Sequence, residues 1–534
     1  MVSSREFFAP NRSLENRMPS RRFSLALGLA SALAGSPFSP APAHARSPAK
    51  GTAGKAALSV ATFKLKNGLT VLVHEDHTVP VVAVNVWYHV GSKDEHPGRT
   101  GFAHLFEHLM FQGSAHVGDD EHLRLIAEAG GSANATTSED RTNFFEAVPA
   151  NFLERALFLE SDRMGWFVDA LTQPKLDTQR DVVRNERRQS YENRPYGMAA
   201  FSIHEAIYPA DHPYHWLTIG THEDLEAANL EDVKAFFKAW YTPENASLAI
   251  AGDVTLAKAK TLAEKYFAEI PSHAPPEHAK AEPVKLAADQ RGHLEDRVTL
   301  ERMELVWPSP AWFGPGDAEL DLLATILGGK SGRLYKRLVY DLKVAQSVQV
   351  GQSSAKLGSL FQIVVTARPG HTAQEMEKLV DEEIGKLLGP QPITAEELSR
   401  AKNHWEALFV YGLQSIEGRA DVVSQYLDAL GSADSFDRDR HRYLDATPEA
   451  LMKQAGETLR SHRYALTITP LPKGAQKGPA TVGKAPAPLA PVGKPPAGMA
   501  PPLVPAGPGT KIPGTPGPQH PPPVAPSATG KETH

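Results

Sequence analysis

The sequence predicts an α+β fold of two homologous domains, each a mostly antiparallel sheet with helices packed on one side. Three observations support this prediction. Strand-like segments joined by turn signals alternate with longer amphipathic helices along the chain. Residues 271–292 are rich in Pro, His, Ala and Lys, which is typical of an interdomain linker. On either side of this linker, a strand, a Pro-Gly break and a helix followed by glycine occur in the same order.

A two-residue turn signal marks the first hairpin. The pair Asn67-Gly68 separates the alternating residues 60–66 from a returning strand over 69–74. The other elements predicted in the first domain are a buried strand over 79–90, helices over 101–113 and 119–129, strands over 132–138 and 142–148, helices over 152–167 and 175–193, and a strand over 246–251.

The second domain repeats this order with a weaker sequence signal. It is predicted to open with a strand over 300–307, to continue with a helix over 317–327 and to end with a strand over 464–469. The chain therefore divides into six segments. They are a signal peptide over 1–45, a leader over 46–58, an N-terminal domain over 59–270, the linker over 271–292, a C-terminal domain over 293–470, and a Pro-, Ala- and Gly-rich tail over 471–534.

The first 45 residues are typical of an export signal. Arg21 and Arg22 precede an apolar run over 23–34, and the Ala-His-Ala sequence at 43–45 matches a small-x-small cleavage site. The apolar run is too short to span a bilayer, so no transmembrane segment is predicted. We expect export to the periplasm, the cell surface or the medium, by the Sec or the twin-arginine route. A disordered basic N-terminus is the alternative.

Composition excludes several classes of function. The formal net charge of -6 gives no reason to expect binding to nucleic acid or to an anionic membrane. The chain has no cysteine, which excludes disulfides, thiol catalysis and cysteine-ligated zinc. The tail over 471–534 holds 18 of the 44 prolines and is predicted to be disordered or polyproline-like. An inert linker is its simplest interpretation, and a surface-association segment is the alternative.

Residues 101–113 form a candidate metal-binding helix. His104 and His108 are four residues apart, so on a helix their imidazoles lie one above the other and can bind one metal ion. Glu107 lies one turn from His104, where its carboxylate can reach a water molecule at that metal. The order His-x-x-Glu-His is the inverted zincin pattern. The alternative is a buried amphipathic helix that carries two histidines by chance.

The second copy of this helix lacks these polar groups. When the glycines that follow the two helices are matched, the three polar side chains of the first helix align with Leu320, Leu323 and Ala324. The C-terminal domain is therefore predicted to have no metal site.

Three stretches resemble the pitrilysin-type zinc peptidases, the family of insulin-degrading enzyme and the mitochondrial processing peptidase. They are residues 101–113, 131–137 and 180–188, in the order that the family has, and the similarity covers about 58–470. The chain resembles the short, two-domain bacterial type.

This resemblance implies a complete catalytic site in the N-terminal domain. The family's distal zinc ligand is a glutamate on a later helix, and it maps to Glu186. One Zn²⁺ per chain would then be bound by His104, His108 and Glu186, with Glu107 as general base.

The resemblance also implies a substrate-binding strand. By analogy, residues 132–137 form an edge strand that pairs with the backbone of a peptide substrate, with Asn134, Ala135 and Thr136 as the contacts. An ordinary edge strand is the alternative.

Two departures from the family pattern affect the expected activity. Gln179 stands where active members often carry a second glutamate, and an amide cannot act as a base. Val339 and Gln346 stand where the family has an Arg and a Tyr that complete the site; Arg337 and Tyr340 are near but out of register. We therefore expect the zinc-bearing subunit of a heterodimer, whose related, zinc-free partner supplies the Arg and the Tyr. A homodimer is the alternative.

The expected function is that of a zinc metalloendopeptidase that hydrolyses peptide bonds in unfolded peptides or small proteins. A dedicated processing peptidase for one substrate and a non-catalytic structural subunit of a complex are the alternatives. A metal-scavenging module would have no use for Glu107. The sequence leaves open the physiological substrate, the cleavage preference and the identity of the partner.

Overall fold

The structure is a computed structural model that describes residues 58–472. The predicted signal peptide, all but the last residue of the predicted leader, and the tail beyond residue 472 lie outside the described residues. Within them, two β-sheets are accompanied by helices, which confirms the predicted α+β class. None of the described helices is long and apolar enough to cross a membrane.

The described residues contain eleven β-strands. They are β1 (Ala61–Lys64), β2 (Thr70–Glu75), β3 (Val81–Tyr88), β4 (Ser132–Thr137), β5 (Thr142–Pro149), β6 (Ala246–Gly252), β7 (Gln290–Asp296), β8 (Arg302–Ser309), β9 (Ala345–Ser353), β10 (Ser359–Ala367) and β11 (Tyr464–Pro470). All the strands that the sequence predicts are present within a few residues of their predicted bounds.

The same residues contain fifteen α-helices. They are α1 (Phe102–Leu109), α2 (Glu121–Glu128), α3 (Leu153–Ala170), α4 (Gln173–Arg187), α5 (Ala199–Ile207), α6 (His222–Ala227), α7 (Leu230–Trp240), α8 (Leu256–Phe267), α9 (Asp317–Gly328), α10 (Arg333–Tyr335), α11 (Ala373–Leu387), α12 (Ala395–Gly412), α13 (Ile416–Leu430), α14 (Phe436–Leu444) and α15 (Pro448–Leu459). The helix predicted over 175–193 is α4 followed by a π-helical turn, Arg188–Glu192.

The two sheets share one topology. Their strand orders are β1-β2-β6-β3-β5-β4 and β7-β11-β8-β10-β9. Each sheet has a single parallel pair, β2 with β6 and β7 with β11, and its other pairs are antiparallel. The second sheet therefore matches the first strand for strand, without a counterpart of β1. The duplication that the sequence predicts is visible in this order.

The helices correspond in the same way. The first half contains, in chain order, the helices α1, α3, α4, α5, α6 and α7. Their counterparts in the second half are, in the same order, α9, α11, α12, α13, α14 and α15. Each half also has a helix before its edge strand, α2 before β4 and α10 before β9. This correspondence makes α9 the counterpart of the candidate metal helix and α12 the counterpart of α4.

The second half opens earlier than the sequence predicts. The strand β7 begins inside the predicted linker, at Gln290, and pairs in parallel with β11. Its sequence is polar, and Leu294 is its one buried residue. Neither alternation nor an apolar run marks it, because it buries only one of its seven residues and so needs no apolar face.

Each half covers the far face of the other half's sheet with one helix. The apolar side of α13 packs on β3 and β6, where Val423 and Tyr426 lie against Ala83 and Ala249. Conversely, α5 of the first half packs on β11 of the second. Burial of these faces stabilises the association of the two halves, because removal of apolar area from water is favourable.

Candidate metal centre and substrate-binding edge

The helix α1 buries one face and leaves its polar groups on the other. Phe102, Leu105, Phe106 and Leu109 are buried in the core of the first half. The spacing of these apolar residues leaves the histidines and the glutamate of the helix only partly buried. The core thereby fixes the direction in which the polar side chains extend.

A buried carboxylate fixes the start of α1. Glu95 accepts hydrogen bonds from the backbone N–H groups of Gly101 at 2.9 Å and Ala103 at 2.7 Å. These are among the amide groups that a helix leaves unpaired at its N-terminus. Gly101 itself has φ of +88°, a conformation that favours glycine, and a Cβ there would lie 3.1 Å from the backbone of Gly220.

The third predicted ligand meets the two histidines across the contact between α1 and α4. Nε2 of His104 lies 3.6 Å from Oε2 of Glu186, and Nε2 of His108 lies 3.3 Å from the same oxygen. The three ligand atoms all lie within 4.8 Å of one another. The structure thus brings together the three residues that the sequence names as metal ligands.

These separations fit a tetrahedral divalent metal. Two ligand atoms that lie roughly 2.1 Å from one ion, at tetrahedral angles, are about 3.4 Å apart. The two N–O distances, 3.6 and 3.3 Å, bracket this value. Two imidazole nitrogens and one carboxylate oxygen are also a donor set that zinc prefers, and they leave one coordination position open.

The protonation of the ligands agrees with metal binding. Burial lowers the pKa of His104, which keeps its imidazole neutral, as a metal ligand must be. A hydrogen bond with His108 is the main reason that the pKa of Glu186 lies below its ordinary value. Nδ1 of His104 is buried and has no hydrogen-bond partner among the described residues. Nε2 is the nitrogen of His104 that lies near Glu186.

Glu107 is outside the ligand cluster and is held by the edge strand. Oγ1 of Thr137, the last residue of β4, donates a hydrogen bond of 2.6 Å to Oε2 of Glu107. Glu107 and Thr137 are both partly buried. The bond joins the predicted general base to the strand that is predicted to bind the substrate, a connection that the sequence analysis did not anticipate.

The three predicted substrate contacts lie on β4, which ends the first sheet. Among the described strands, β4 pairs with β5 alone. Asn134 is exposed, Ala135 is buried and Thr136 is partly buried. The side-chain oxygen of Asn134 accepts from the N–H of Ala135 at 2.9 Å, and Thr136 donates to Asn143 at 2.6 Å. A peptide that pairs with this strand would have to displace Asn134 from the Ala135 amide.

A second histidine–carboxylate cluster was missed by the sequence analysis. His122 on α2, Glu146 on β5 and Glu160 on α3 are fully buried, with ligand atoms within 4.8 Å of one another. Nε of Arg163 donates to Glu160 at 3.0 Å, and its guanidinium lies 4.1 Å from the ring centroid of Phe144. We assign this cluster to the core, because the guanidinium already supplies the positive charge that a metal ion would bring.

The residues at and near the positions of the family's Arg and Tyr lie in the second half. Arg337 donates to the carbonyl of Leu379 at 2.9 Å and pairs with Glu383, so it is used within its own half. Val339 is buried in the core of the second half, and Gln346 is exposed at the start of β9. Tyr340 is 57% exposed.

Gln179 lies on the same helix as Glu186, two turns nearer the start of α4, and is buried. Its amide stands on the face of α4 that packs into the protein. A glutamate at this position would have a partly desolvated carboxylate, whereas the amide of Gln179 carries no charge.

Comparison with known proteins relates both halves of the chain to one protein family. The model of the insulinase family, peptidase family M16, matches residues 70–213, and the model of the peptidase M16 inactive domain matches residues 227–404. A zinc protease of Helicobacter pylori, PqqE, is 31% identical over 401 residues, which cover 74% of this chain and 88% of that protein.

Solved structures agree with this match. The crystal structure of a protease from Helicobacter pylori has a TM-score of 0.73 and 29% identity, and the alignment covers 78% of this chain and all of that one. A peptidase M16 inactive domain from Pseudomonas fluorescens has a TM-score of 0.69 and 20% identity, covering 79% of this chain and all of that one. Because the relatives share both the sequence and the duplicated fold, the chain belongs to the insulinase family, peptidase family M16.

Proposed function

We propose that this chain is a zinc metalloendopeptidase that hydrolyses peptide bonds in unfolded peptides or small proteins. The observation that carries the proposal is the meeting of His104, His108 and Glu186, with Glu107 beside them but outside the ligand set. The relatives named as zinc proteases support it. A structural subunit would have no need for a ligand set with an open position and an adjacent base.

The residues of the site divide the chemistry between them. The two histidines and Glu186 would hold a zinc ion, which would supply Lewis-acid chemistry at a water molecule and at the peptide carbonyl. Glu107 accepts a proton from the attacking water at one carboxylate oxygen and passes it to the leaving amine. Thr137 holds the other oxygen of Glu107, which keeps the carboxylate in one orientation during both transfers.

The strand β4 supplies the substrate-binding edge in this proposal. An extended peptide that adds to β4 forms main-chain hydrogen bonds that do not depend on its sequence, which suits a peptidase of unfolded chains. Asn134, Ala135 and Thr136 are the proposed contacts. Folded proteins have few free extended segments, because most of their strands are paired or protected, so we expect the enzyme to prefer unstructured substrates.

Metal content and turnover of three variants test the proposal. Wild type should bind about one zinc per chain, and Glu186→Gln should lose it. Glu107→Gln should keep the zinc and lose at least about 10²-fold in kcat, because general-base catalysis contributes that much. Asp181→Asn, an exposed position on the same helix, is the matched control and should change neither quantity. Zinc bound by Glu186→Gln at wild-type affinity would contradict the ligand assignment.

We further propose that the enzyme works as a heterodimer. Arg337 is held by contacts within its own half, and Val339 and Gln346 cannot replace an Arg and a Tyr at the substrate. A related, zinc-free chain would supply these two groups. Purification from the native source should yield this partner, and mass spectrometry would identify it. Full peptidase activity of the purified chain alone would contradict the heterodimer and leave a homodimer as the alternative.

The proposed site of action is outside the cytoplasm. The signal-like residues 1–45 support export to the periplasm, the cell surface or the medium. Cell fractionation with antibodies against the N-terminal domain tests this, and a mature chain that begins near residue 46 is the expected result.

A further inference from the structure

The edge strand β4 begins beside a carboxylate from the second half of the chain. Oγ of Ser132, the first residue of β4, donates a hydrogen bond of 3.3 Å to Oε1 of Glu417, in the first turn of α13. Ser132 is exposed and Glu417 is partly exposed, so solvent reaches this contact. At the other end of the strand, Thr137 is bonded to Glu107, the proposed general base. The two ends of β4 therefore contact two different carboxylates.

These two carboxylates lie on opposite faces of the first sheet. Successive side chains of a strand alternate between its faces, so Ser132 and Thr137, five residues apart, point to opposite sides. Thr137 points towards α1, whereas Ser132 and Thr136 point to the side that α13 covers. In a pair of strands, side chains that lie directly opposite each other share a face. A substrate side chain opposite Ser132 would therefore lie beside Glu417.

The first turn of α13 is fixed by contacts with the first half. Ile416 belongs to the apolar contact between α13 and the first sheet. Nε of Arg419 donates to the carbonyl of Leu413 at 2.8 Å, and its guanidinium pairs with Asp76 of the first half. Because these contacts hold the backbone on either side of Glu417, its carboxylate stays close to the start of β4.

Glu417 and Asp421 are two carboxylates without a cationic partner among the described residues. They are four residues apart on α13, so they lie on the same helix face. Neither forms an ion pair with a lysine, arginine or histidine within residues 58–472. Arg419, two residues from Glu417, faces another direction and is paired with Asp76. The hydrogen-bond donors to Asp421 are uncharged amides, those of Asn85, Asn143 and Gln425.

A cation lies at the far end of the same face of β4. Arg141 donates to the carbonyl of Thr136 at 2.8 Å, and its guanidinium lies 4.9 Å from the ring centroid of Trp87. Arg141 and Trp87 line a cavity of about 260 Å³ beside α9, whose wall is rich in aromatic side chains. Ser132 is four residues from Thr136, roughly 13 Å along a strand. This separation exceeds the Debye length of about 8 Å at physiological ionic strength, so Arg141 does not cancel the charge of Glu417.

We propose that Glu417 selects substrates that carry a lysine or an arginine a few residues from the scissile bond. A peptide that pairs with β4 places one side chain opposite Ser132, about three to five residues from the bond that Glu107 attacks through water. A lysine or arginine there reaches the carboxylate of Glu417, whereas an aspartate or glutamate is repelled by it. The inference rests on the proposed function, because it takes β4 as the substrate-binding edge.

Peptide binding to Glu107→Gln tests this role without turnover. The full chain of this variant, loaded with zinc, is titrated with three fluorescent peptides of about twelve neutral residues that differ only in a central Lys, Ala or Glu. The Lys peptide should bind at least about threefold more tightly than the Glu peptide, because one forms a partly exposed ion pair and the other a like-charge contact. The difference should shrink at about 0.5 M salt.

Charge reversal assigns the preference to one residue. Glu417→Lys, made in the Glu107→Gln chain, should reverse the order, so that the Glu peptide binds more tightly than the Lys peptide. Glu449→Lys makes the same change in net charge at an exposed position in the first turn of α15, and as the matched control it should keep the original order. An unchanged order in Glu417→Lys would overturn the role of Glu417.

The binding test separates this inference from the proposed peptidase activity. Absence of binding by all three peptides would overturn the pairing with β4 and this inference with it. Failure of the peptidase proposal would appear instead as peptide binding without turnover by the wild type.

The absence of cysteine from the chain allows the contact to be located directly. The thiol introduced by Glu417→Cys is the only one in the protein. It should form a disulfide with a peptide whose central residue is an activated cysteine at least about tenfold faster than the thiol introduced by Glu449→Cys, because the bound peptide holds the two sulfurs together. Both positions lie in the first turn of a helix, so the two thiols are matched in helix-dipole environment. Equal rates would overturn the proposal.

Discussion

At the scale of single residues, the candidate site depends on a few contacts that no local sequence pattern contains. The spacing of His104 and His108 is local, so the sequence alone predicts that they share a helix face. Glu186 lies on another helix, and only resemblance to a family points to it. The bond between Thr137 and Glu107 joins a strand to a helix, and only the structure shows it.

Removal of the Thr137 hydroxyl should slow catalysis without loss of metal. Thr137→Val keeps the shape of the side chain and removes the hydrogen bond to Glu107. A hydrogen bond to a charged group contributes about 1.5–3 kcal/mol, so kcat should fall about ten- to a hundredfold. Steady-state kinetics and metal analysis check this expectation.

Two further variants separate this positioning role from a structural one. Thr137→Ser keeps the hydroxyl and should restore most of the kcat. Thr178→Val removes an exposed hydroxyl on α4, which donates to the carbonyl of Pro174, and should leave kcat within about threefold. If Thr137→Val lowered zinc content as well as kcat, the bond would support the metal centre rather than the general base.

At the scale of secondary-structure elements, the sequence predicts best where local signals are strong. The hairpin at Asn67-Gly68 and the buried strand β3 appear as predicted. The strand β7 was missed because its pairing with β11 comes from distant sequence. The cluster on α2, β5 and α3 and the cavity beside α9 are also assembled from residues far apart in the chain. No local residue spacing therefore predicts them.

Gly220 contacts both elements that carry the candidate metal ligands. Its φ is +69°, and a Cβ there would lie 2.6 Å from Cα of Gly101 at the start of α1. Its carbonyl accepts a hydrogen bond from Arg187, which follows Glu186 on α4. Gly220→Ala should therefore lower the free energy of unfolding by about 2–3 kcal/mol, through backbone strain and a backbone clash, and should weaken zinc binding.

Chemical denaturation and metal titration of Gly220→Ala measure these two effects. Gly130→Ala is the matched control, since Gly130 also has a positive φ of +80° but a Cβ there meets nothing within 4 Å. The control should lose only about 1 kcal/mol and keep its zinc affinity. Equal effects of the two substitutions would show that the contact between Gly220 and Gly101 has no special role.

The buried cluster between α2, β5 and α3 should make stability depend on pH. Burial raises the pKa of Glu146 and of Glu160 to about 7, whereas these groups ionise near 4.5 in the unfolded chain. The folded state then binds more protons than the unfolded state, so stability is present below pH 4.5 and falls as the pH rises through 7. His122, whose pKa burial lowers to about 3, stays neutral over this range.

Glu146→Gln isolates this effect, because the amide cannot ionise. Between pH 5 and pH 8, the wild type should lose about 2 kcal/mol more unfolding free energy than the variant. Urea unfolding of both proteins at several pH values measures the difference, in which the titration of unfolded histidines cancels. Parallel pH profiles for the two proteins would contradict the prediction.

At the scale of the whole molecule, the duplication explains why the two halves share one fold, although they carry different side chains at corresponding positions. The same order of strands and helices builds the candidate metal-ligand cluster in one half and contributes to an aromatic cavity in the other. The sequence predicts the duplication but not the exchange of α5 and α13 between the sheets, because amphipathic helices do not specify which sheet they cover.

This exchange predicts that the halves stay together when the linker is cut. A site for a specific protease, inserted between the exposed residues Ala287 and Ala288, would allow cleavage of the folded protein. The cut halves should co-elute in size-exclusion chromatography and separate only in denaturant, because α13 and α5 bury apolar surface on the opposite sheets.

A charged residue introduced into the contact between α13 and the first sheet should make the cut halves separate. Val423 is 1% exposed on the face of α13 that packs on the first sheet. Val423→Asp buries an unpaired carboxylate there, which costs several kcal/mol, so the cut halves of this variant should separate in native buffer. The uncut Val423→Asp chain is the control for folding. If the halves of the cut wild type separated without denaturant, the contacts of α5 and α13 would be too weak to hold the two sheets together.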